Sequence, residues 1–326
     1  MRHPVARTSR AGTLVVAVAL LTVACGDTQP RTAAYVGAAT ISVDELQKQV
    51  GDVVTYRTGA GAPTAAAPGT DSGSPDVRSQ LPLVTQQVLS QDVLARLVDS
   101  AVQRTGFTVD EGVVSTQLAT LDTPTLLAQP AQAYLTPDRL AALVRDQLVL
   151  AQLGKQAWDG LSVSVDLLQA TDRGDAQAKA QLMAAGAQAS AGVVAQAVAA
   201  GNQAERGLTL TPAGAPALAT TPVFGTPEGG AVAFELTSQQ SQAPQWYAAR
   251  INSRTTRAPA PTTSGALTAE QATIGQTLSL GLTLLAQLAG TPQITINPRY
   301  GQWDHTAGRV IAASDVAASI VVAPAG

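Results

Sequence analysis

Histidine and cysteine, the side chains that most often act as bases, nucleophiles and metal ligands, are scarce in this chain. Its 326 residues include two histidines, His3 and His305, and one cysteine, Cys25. A histidine metal cluster is excluded by this count, and a Ser-His-Asp triad in the mature chain would have to use His305, because His3 lies in the signal peptide predicted below. That residue lies in the polar run WDHT, and the sequence contains no Gly-x-Ser-x-Gly elbow. We therefore expect a solvated His305 and predict no catalytic residue, metal or cofactor.

The single cysteine has the sequence context of a lipidation site. Three arginines within the first ten residues precede an apolar run over 11–24, and Cys25 follows directly. This order resembles a bacterial lipoprotein signal, and the run is shorter than the roughly 20 apolar residues that span a bilayer. We predict a signal peptide over 1–24, a lipid anchor of the palmitate type on Cys25 and a tether over 25–33. The alternative is an ordinary secretory signal with an incidental cysteine.

The charge of the remaining chain limits its partners. The first 24 residues hold three of the 20 basic residues and none of the 23 acidic ones, so 17 basic and 23 acidic side chains remain, a net charge of −6. Binding of nucleic acid needs clustered Lys and Arg, and this composition argues against it. The predicted location is the extracytoplasmic face of the cell membrane, with the protein held there by its lipid anchor.

Helix caps and apolar periodicity predict a helical module over 34–157. Ser42 and Glu45 form a capping box, and Thr136 followed by proline is typical of another helix start. Residues 58–79 are rich in Gly, Ala, Pro, Ser and Thr, a composition too poor in apolar side chains to order itself. We predict that this stretch is a disordered insertion in the module.

The apolar pattern changes after the helical module, where alternating apolar residues indicate strands. We predict a small α+β unit over 158–252. We expect a linker over 253–266, then a leucine-rich helix capped at Thr268 and a strand within 267–305, and a tail over 306–326. The leucine face of this late helix must be covered, and the N-terminal helices are the simplest cover. The predicted fold class is mainly α with a small α+β insert.

Two short segments resemble the SurA/PrsA group of extracytoplasmic chaperones. Residues 36–46, VGAATISVDEL, are similar to the opening strand, turn and first helix of that group, without the asparagine of its usual Val-Asn-Gly. Residues 296–301, INPRYG, together with Trp303 are similar to the end of bacterial lipoproteins that have a SurA-type N-terminal domain. The order of parts over 33–305 follows the same group. The resemblance implies a SurA-like helical N-domain completed by a C-terminal helix.

In that group the inserted unit is a parvulin-type prolyl isomerase domain or a degenerate relative. Parvulin begins with a strand carrying His-Ile-Leu, whereas residues 165–168 here read VDLL and place Asp166 where the histidine would stand. Parvulin has a second histidine on its last strand, and the nearest residue in the comparable strand of this chain is Tyr247. The resemblance therefore carries over no catalytic residue and implies a degenerate insert. Candidate remnants of the site are Ser164, Asp166, Phe234 and Tyr247, each with an ordinary structural role as the alternative.

Three functional hypotheses follow. The first is a membrane-anchored, ATP-independent chaperone or foldase that binds unfolded or partly folded secreted polypeptides in an apolar groove. The second is a weak peptidyl-prolyl cis–trans isomerase, which would need a desolvated proline pocket to lower a barrier near 18–20 kcal/mol. The third is a non-catalytic lipoprotein that scaffolds envelope assembly or binds other proteins.

Overall fold

The computed structural model describes residues 31–59, 79–237, 244–256, 266–315 and 319–324. The predicted signal peptide and lipidation site at Cys25 lie outside these residues, as do 60–78 of the expected insertion and 257–265 of the expected linker. Within the described ranges, no helix has both the length and the apolar character needed to cross a bilayer.

The described residues form eight α-helices and ten β-strands. The helices are α1 (Val43–Thr58), α2 (Leu81–Thr105), α3 (Glu111–Thr120), α4 (Thr123–Ala128), α5 (Pro137–Trp158), α6 (Arg173–Ala184), α7 (Ala187–Ala199) and α8 (Ile274–Leu288). The strands are β1 (Thr32–Val36), β2 (Ala39–Ser42), β3 (Ser162–Ala170), β4 (Ala204–Leu210), β5 (Ala231–Thr237), β6 (Pro244–Thr255), β7 (Ile294–Ile296), β8 (Gln302–Asp304), β9 (Arg309–Ile311) and β10 (Ile320–Val322).

Two of the predicted helix starts are confirmed, and a third is wrong. The side chain of Ser42 caps α1 by accepting a hydrogen bond from the amide of Glu45, and Thr136 caps α5 in the same way. The late helix begins at Thr273, which forms a full capping box with Gln276, and not at Thr268. Both threonines are followed three residues later by glutamine, so the local signal is the same at the two positions.

The strands form three antiparallel sheets in the described part of the chain. A three-stranded sheet has the order β2-β1-β7, a five-stranded sheet has the order β10-β5-β6-β3-β4, and β8 and β9 form a hairpin. The expectation of a mainly α chain, with a SurA-like helical N-domain completed by a C-terminal helix, is therefore wrong. The fold is mixed, with strands from both ends of the chain and from its middle. Part of the segment at 306–326, expected to be a tail, forms β9 and β10, and β10 is an edge strand of the large sheet.

Helix α8 contributes to two hydrophobic cores. Leu285 on α8, and Ala289 just beyond the end of the helix, pack with α1, α2, α5 and the three-stranded sheet. Leu280 and Leu284 pack instead with one face of the five-stranded sheet. The other face of that sheet is covered by α6 and α7 through small side chains, among them Ala176. The helical and sheet-containing parts are thus connected through α8.

Candidate functional site

An open groove lies between α2, α3 and α5 and has a volume of about 730 Å³. Val98 and Val102, one turn apart on α2, form one wall, and Phe107 follows at the end of that helix. Val114 on α3 and Val149 on α5 also belong to the apolar lining. The volume lies within the range of about 300–1,000 Å³ that is typical of ligand sites, which are also mainly apolar.

A largely buried ion pair fixes α5 against α2. Arg139 lies 3.1 Å from Asp92, and the two side chains are 15% and 14% exposed. The same guanidinium donates to the side chain of Gln49 on α1 and to the carbonyl oxygen of Val88. Burial raises the pKa of Asp92 and the charge of Arg139 opposes that change. One arginine therefore joins α1, α2 and α5 where the last of these begins.

A second arginine holds the segment that leads from α4 into α5. The guanidinium of Arg57, at the end of α1, donates to four backbone carbonyl oxygens, those of Leu127, Gln132, Ala133 and Leu135. This satisfies carbonyl groups that the short helix α4 and the turn after it leave without helical partners. The segment linking α3 to α5 is thereby attached to α1.

The buried carboxylate in the groove is Asp146 on α5. Asp146 is only 8% exposed, and its Oδ2 has no hydrogen-bond partner among the described groups. Burial raises the pKa of Asp146 to about 7, the negative charge of Asp99 adds to the effect, and Arg145 opposes it. Asp99, on α2, is exposed and lines the same groove. The groove therefore combines apolar walls with a buried, unpartnered acid.

Phe234 and Tyr247 are brought together by the structure. They are opposite one another in the pairing of β5 with β6, and their rings stack with centroids 5.8 Å apart. Phe234 is 1% exposed and belongs to the core below α8, while the hydroxyl of Tyr247 donates to Gln245 over 2.8 Å. The pair has the contacts of two core side chains on one face of the large sheet.

Asp166 lies on the opposite face of that sheet, toward α7. Its carboxylate accepts hydrogen bonds from the hydroxyl of Ser190 at 2.6 Å, the amide of Gly207 at 3.0 Å and the side-chain amide of Asn252 at 2.8 Å. Burial alone would raise the pKa of Asp166, but these bonds favour the charged form and the pKa lies below its ordinary value. The carboxylate thus connects β3 with α7, β4 and β6.

The four candidate remnants do not form one site. Ser164 is in β3, opposite Thr209 of β4 and Ser253 of β6, and alternation along the strand places it on the same face as Asp166. Phe234 and Tyr247 are on the other face. The sheet therefore separates the aromatic pair from the polar pair.

His305 is exposed and lies at a second, smaller cavity. This cavity has a volume of about 280 Å³ and lies between α8, the β8–β9 hairpin and β10. Its lining is mostly apolar and includes Pro222 and Pro292. Among the described residues, no three His, Cys, Asp or Glu side chains come together in a way that could hold a metal ion. The larger groove is the stronger candidate because it contains a buried carboxyl group, that of Asp146, whose Oδ2 has no partner in the described part of the chain.

Asp146 was missed by the sequence analysis, although a signal was available. Val149, Leu150 and Leu153 follow it at spacings of three, four and seven residues, which is the helical pattern of one buried face. An acid on such a face is informative because ionised side chains are rarely buried unless they are paired.

No family model matches the sequence, and no curated protein matches it. Among solved structures, the foldase protein PrsA from Lactococcus lactis is 12% identical, aligns over 82% of this chain and 94% of its own, and has a TM-score of 0.26. The foldase protein PrsA from Streptococcus pneumoniae str. Canada MDR_19A is 11% identical over 78% of this chain and 88% of its own, with a TM-score of 0.23. Similarities with TM-scores this low assign neither a family nor an activity to this chain.

Proposed function

We propose that this chain is a polypeptide-binding protein of the chaperone or foldase type, and that it holds apolar segments of unfolded or partly folded proteins in the groove between α2, α3 and α5. The observation that carries the proposal is the groove itself, about 730 Å³ in volume and lined mainly by valine, alanine and phenylalanine side chains.

Apolar walls suit a binder of many sequences. The hydrophobic effect is non-directional and roughly proportional to the area removed from water, so such walls accept different side chains without fixed hydrogen-bond partners. Each apolar side chain that is fully buried contributes about 1.5–3 kcal/mol. Two or three such side chains would give weak, reversible binding, which is what a protein that must release its clients requires.

The rim of the groove is charged and polar, which keeps the protein soluble while the groove is empty. Arg145 on α5 and Glu111 on α3 form an exposed ion pair with a separation of 2.7 Å at this rim. Apolar patches rimmed by polar residues are typical of interaction sites on soluble proteins.

The proposal includes attachment to the outer face of the cell membrane through lipid on Cys25, where secreted polypeptides would be the clients. Its support is the sequence alone: the charged start, the apolar run over 11–24 and the cysteine after it. Two or more acyl chains hold a protein on a membrane firmly, whereas one does so only marginally. Cys25→Ala should move the protein from the membrane to the soluble fraction, and continued membrane association would contradict the anchor.

Light scattering during dilution of a denatured client protein tests the function. Ala142 is exposed on α5 and lines the groove, so Ala142→Trp would fill it without entering a core. Ala195, exposed on α7, is the matched control. We expect the wild type and Ala195→Trp to suppress client aggregation and Ala142→Trp to lose that effect. Equal suppression by all three, or none by the wild type, would overturn the proposal.

A further inference from the structure

Two aspartates of the groove lie on neighbouring helices. Asp146 on α5 and Asp99 on α2 both line the groove, and the charge of Asp99 acts on Asp146. The Oδ2 of Asp146 is buried and has no partner among the described groups, whereas Asp99 is exposed at the edge. A positive group entering the groove would meet the exposed acid first and the buried acid second.

The other charged groups of the groove compensate this acidity only in part, through the charge of Arg145. Arg145 on α5 and Glu111 on α3 also line it, and they are paired with each other over 2.7 Å. Because one charge of that pair cancels the other, the two aspartates set the local sign whenever both are ionised. A basic guest therefore fits the electrostatics of the groove, and an acidic guest does not.

A buried carboxylate without a partner destabilises its own ionised form. Removing an ion from water is costly unless a counter-charge or hydrogen bonds replace the lost hydration. An ammonium or guanidinium group beside Asp146 would supply both, while neighbouring apolar side chains of the guest would rest on the partly exposed Val102 and Phe107. We infer that the groove prefers apolar segments that contain a lysine or arginine, with the basic side chain directed at Asp146 and Asp99.

This preference rests on the proposed function, because it names the kind of segment that the groove would hold. Fluorescence anisotropy at pH 8 tests it with labelled peptides that differ only at a central position, Lys, Met or Glu, between the same apolar residues. We expect the Lys peptide to bind about tenfold more tightly than the Met peptide, the ratio that corresponds to about 1.4 kcal/mol. The Glu peptide should bind more weakly than either.

Asp146→Asn should remove most of the difference in affinity between the Lys and Met peptides and leave the affinity for the Met peptide unchanged. Asp52→Asn is the matched control, since it makes the same change in net charge at an exposed site on α1, where Asp52 pairs with Lys48. Asp99→Asn should remove part of the preference for the Lys peptide. Because Asp99 is exposed, this substitution should leave the stability of the fold unchanged. Lowering the pH to 5 should also reduce the preference of the wild type, because Asp146 then carries a proton.

Two failures can be told apart. If the Lys and Met peptides bind equally to the wild type, or if Asp146→Asn and Asp52→Asn behave alike, the preference for basic residues is wrong while polypeptide binding stands. If Ala142→Trp leaves the binding of every peptide unchanged, the groove is not the binding site and the proposed function itself is wrong.

Discussion

Gly154 on α5 and Gly281 on α8 lie against each other where the two helices are in direct backbone contact. A Cβ atom on Gly154 would lie 2.8 Å from the amide nitrogen of Gly281 and 1.8 Å from the carbonyl oxygen of Thr277. A Cβ atom on Gly281 would lie 1.9 Å from the carbonyl oxygen of Leu150. Only glycine fits at either position, and α8 can reach both hydrophobic cores because it approaches α5 this closely.

Gly281→Ala should therefore destabilise the protein strongly, by about 3 kcal/mol or more, since backbone atoms must move to admit the methyl group. Urea unfolding of the purified protein measures the change. Gly51→Ala is the control: Gly51 is within α1 and nothing lies within 4 Å of its Cβ position. That substitution should stabilise the helix by roughly 0.5–1 kcal/mol. Equal stability of the wild type and Gly281→Ala would show that α5 and α8 do not pack in this way.

The pH dependence of stability should report on Asp146. Its pKa is about 7 in the folded chain and near 3.8 as an ordinary carboxyl, so the folded state binds the extra proton between these values. Stability from this group is therefore greatest at low pH, falls as the pH rises from about 4 to about 7, and changes no further above that.

Asp146→Asn removes that loss because the amide stays neutral. The variant and the wild type should be similarly stable near pH 4, and the variant should be more stable by roughly 4 kcal/mol above pH 7, at about 1.4 kcal/mol for each pKa unit. Asp92, whose pKa is also raised by burial, contributes equally to the pH dependence of stability in the wild type and in the variant. Its contribution therefore cancels in the difference between the two. Denaturant unfolding at a series of pH values gives the two curves, and parallel curves would exclude a buried, proton-binding Asp146.

Asp166 should behave in the opposite way. Its carboxylate accepts three hydrogen bonds, and Asp166→Ala would leave the buried hydroxyl of Ser190 and the amide of Asn252 without their acceptor. We expect a loss of about 3 kcal/mol at pH 7, against little change for Asp52→Ala at the surface. Since the pKa of Asp166 is lowered, its contribution is present above about pH 4 and is lost as the pH falls through the folded-state value. A loss below 0.5 kcal/mol, on the order of that for an ordinary surface substitution, would contradict this structural role.

Prolyl isomerisation should proceed at its uncatalysed rate in the presence of this protein. Phe234 is stacked on Tyr247 inside a core, and the sheet separates both from Asp166. A peptide X–Pro bond should thus relax over the uncatalysed time of tens to hundreds of seconds. A rate well above background that is lost in Phe234→Ala or Tyr247→Ala would instead identify an active isomerase site.

Local signals predicted the positions of individual elements better than their association. The caps at Ser42 and Thr136 were predictable because each cap is an interaction between residues three apart in sequence. The pairing of β1 with β7 joins residues near 34 with residues near 296, and β10 pairs with β5 across more than 80 residues. Such pairings have no local signature, so the sequence predicts a tail where β9 and β10 form, and its prediction of a mainly α fold class is wrong.

The candidate site shows the same limit. Val98, Val102 and Val114 follow the apolar periodicity that predicts their helices, but a stripe has the same periodicity whether it faces a core or an open groove. Asp146 could have been identified as unusual from its spacing to Val149 and Leu150, whereas its proximity to Asp99 on another helix depends on packing.

Photo-cross-linking of a bound peptide tests the proposed function most directly. An apolar peptide with one photoreactive side chain is irradiated with the purified protein, and mass spectrometry locates the attachment sites. We expect attachment within residues 95–114 and 141–149, which line the groove, and a loss of it in Ala142→Trp but not in Ala195→Trp. Attachment that is concentrated on the five-stranded sheet or at the cavity beside His305, or that is unchanged in Ala142→Trp, would contradict polypeptide binding between α2, α3 and α5.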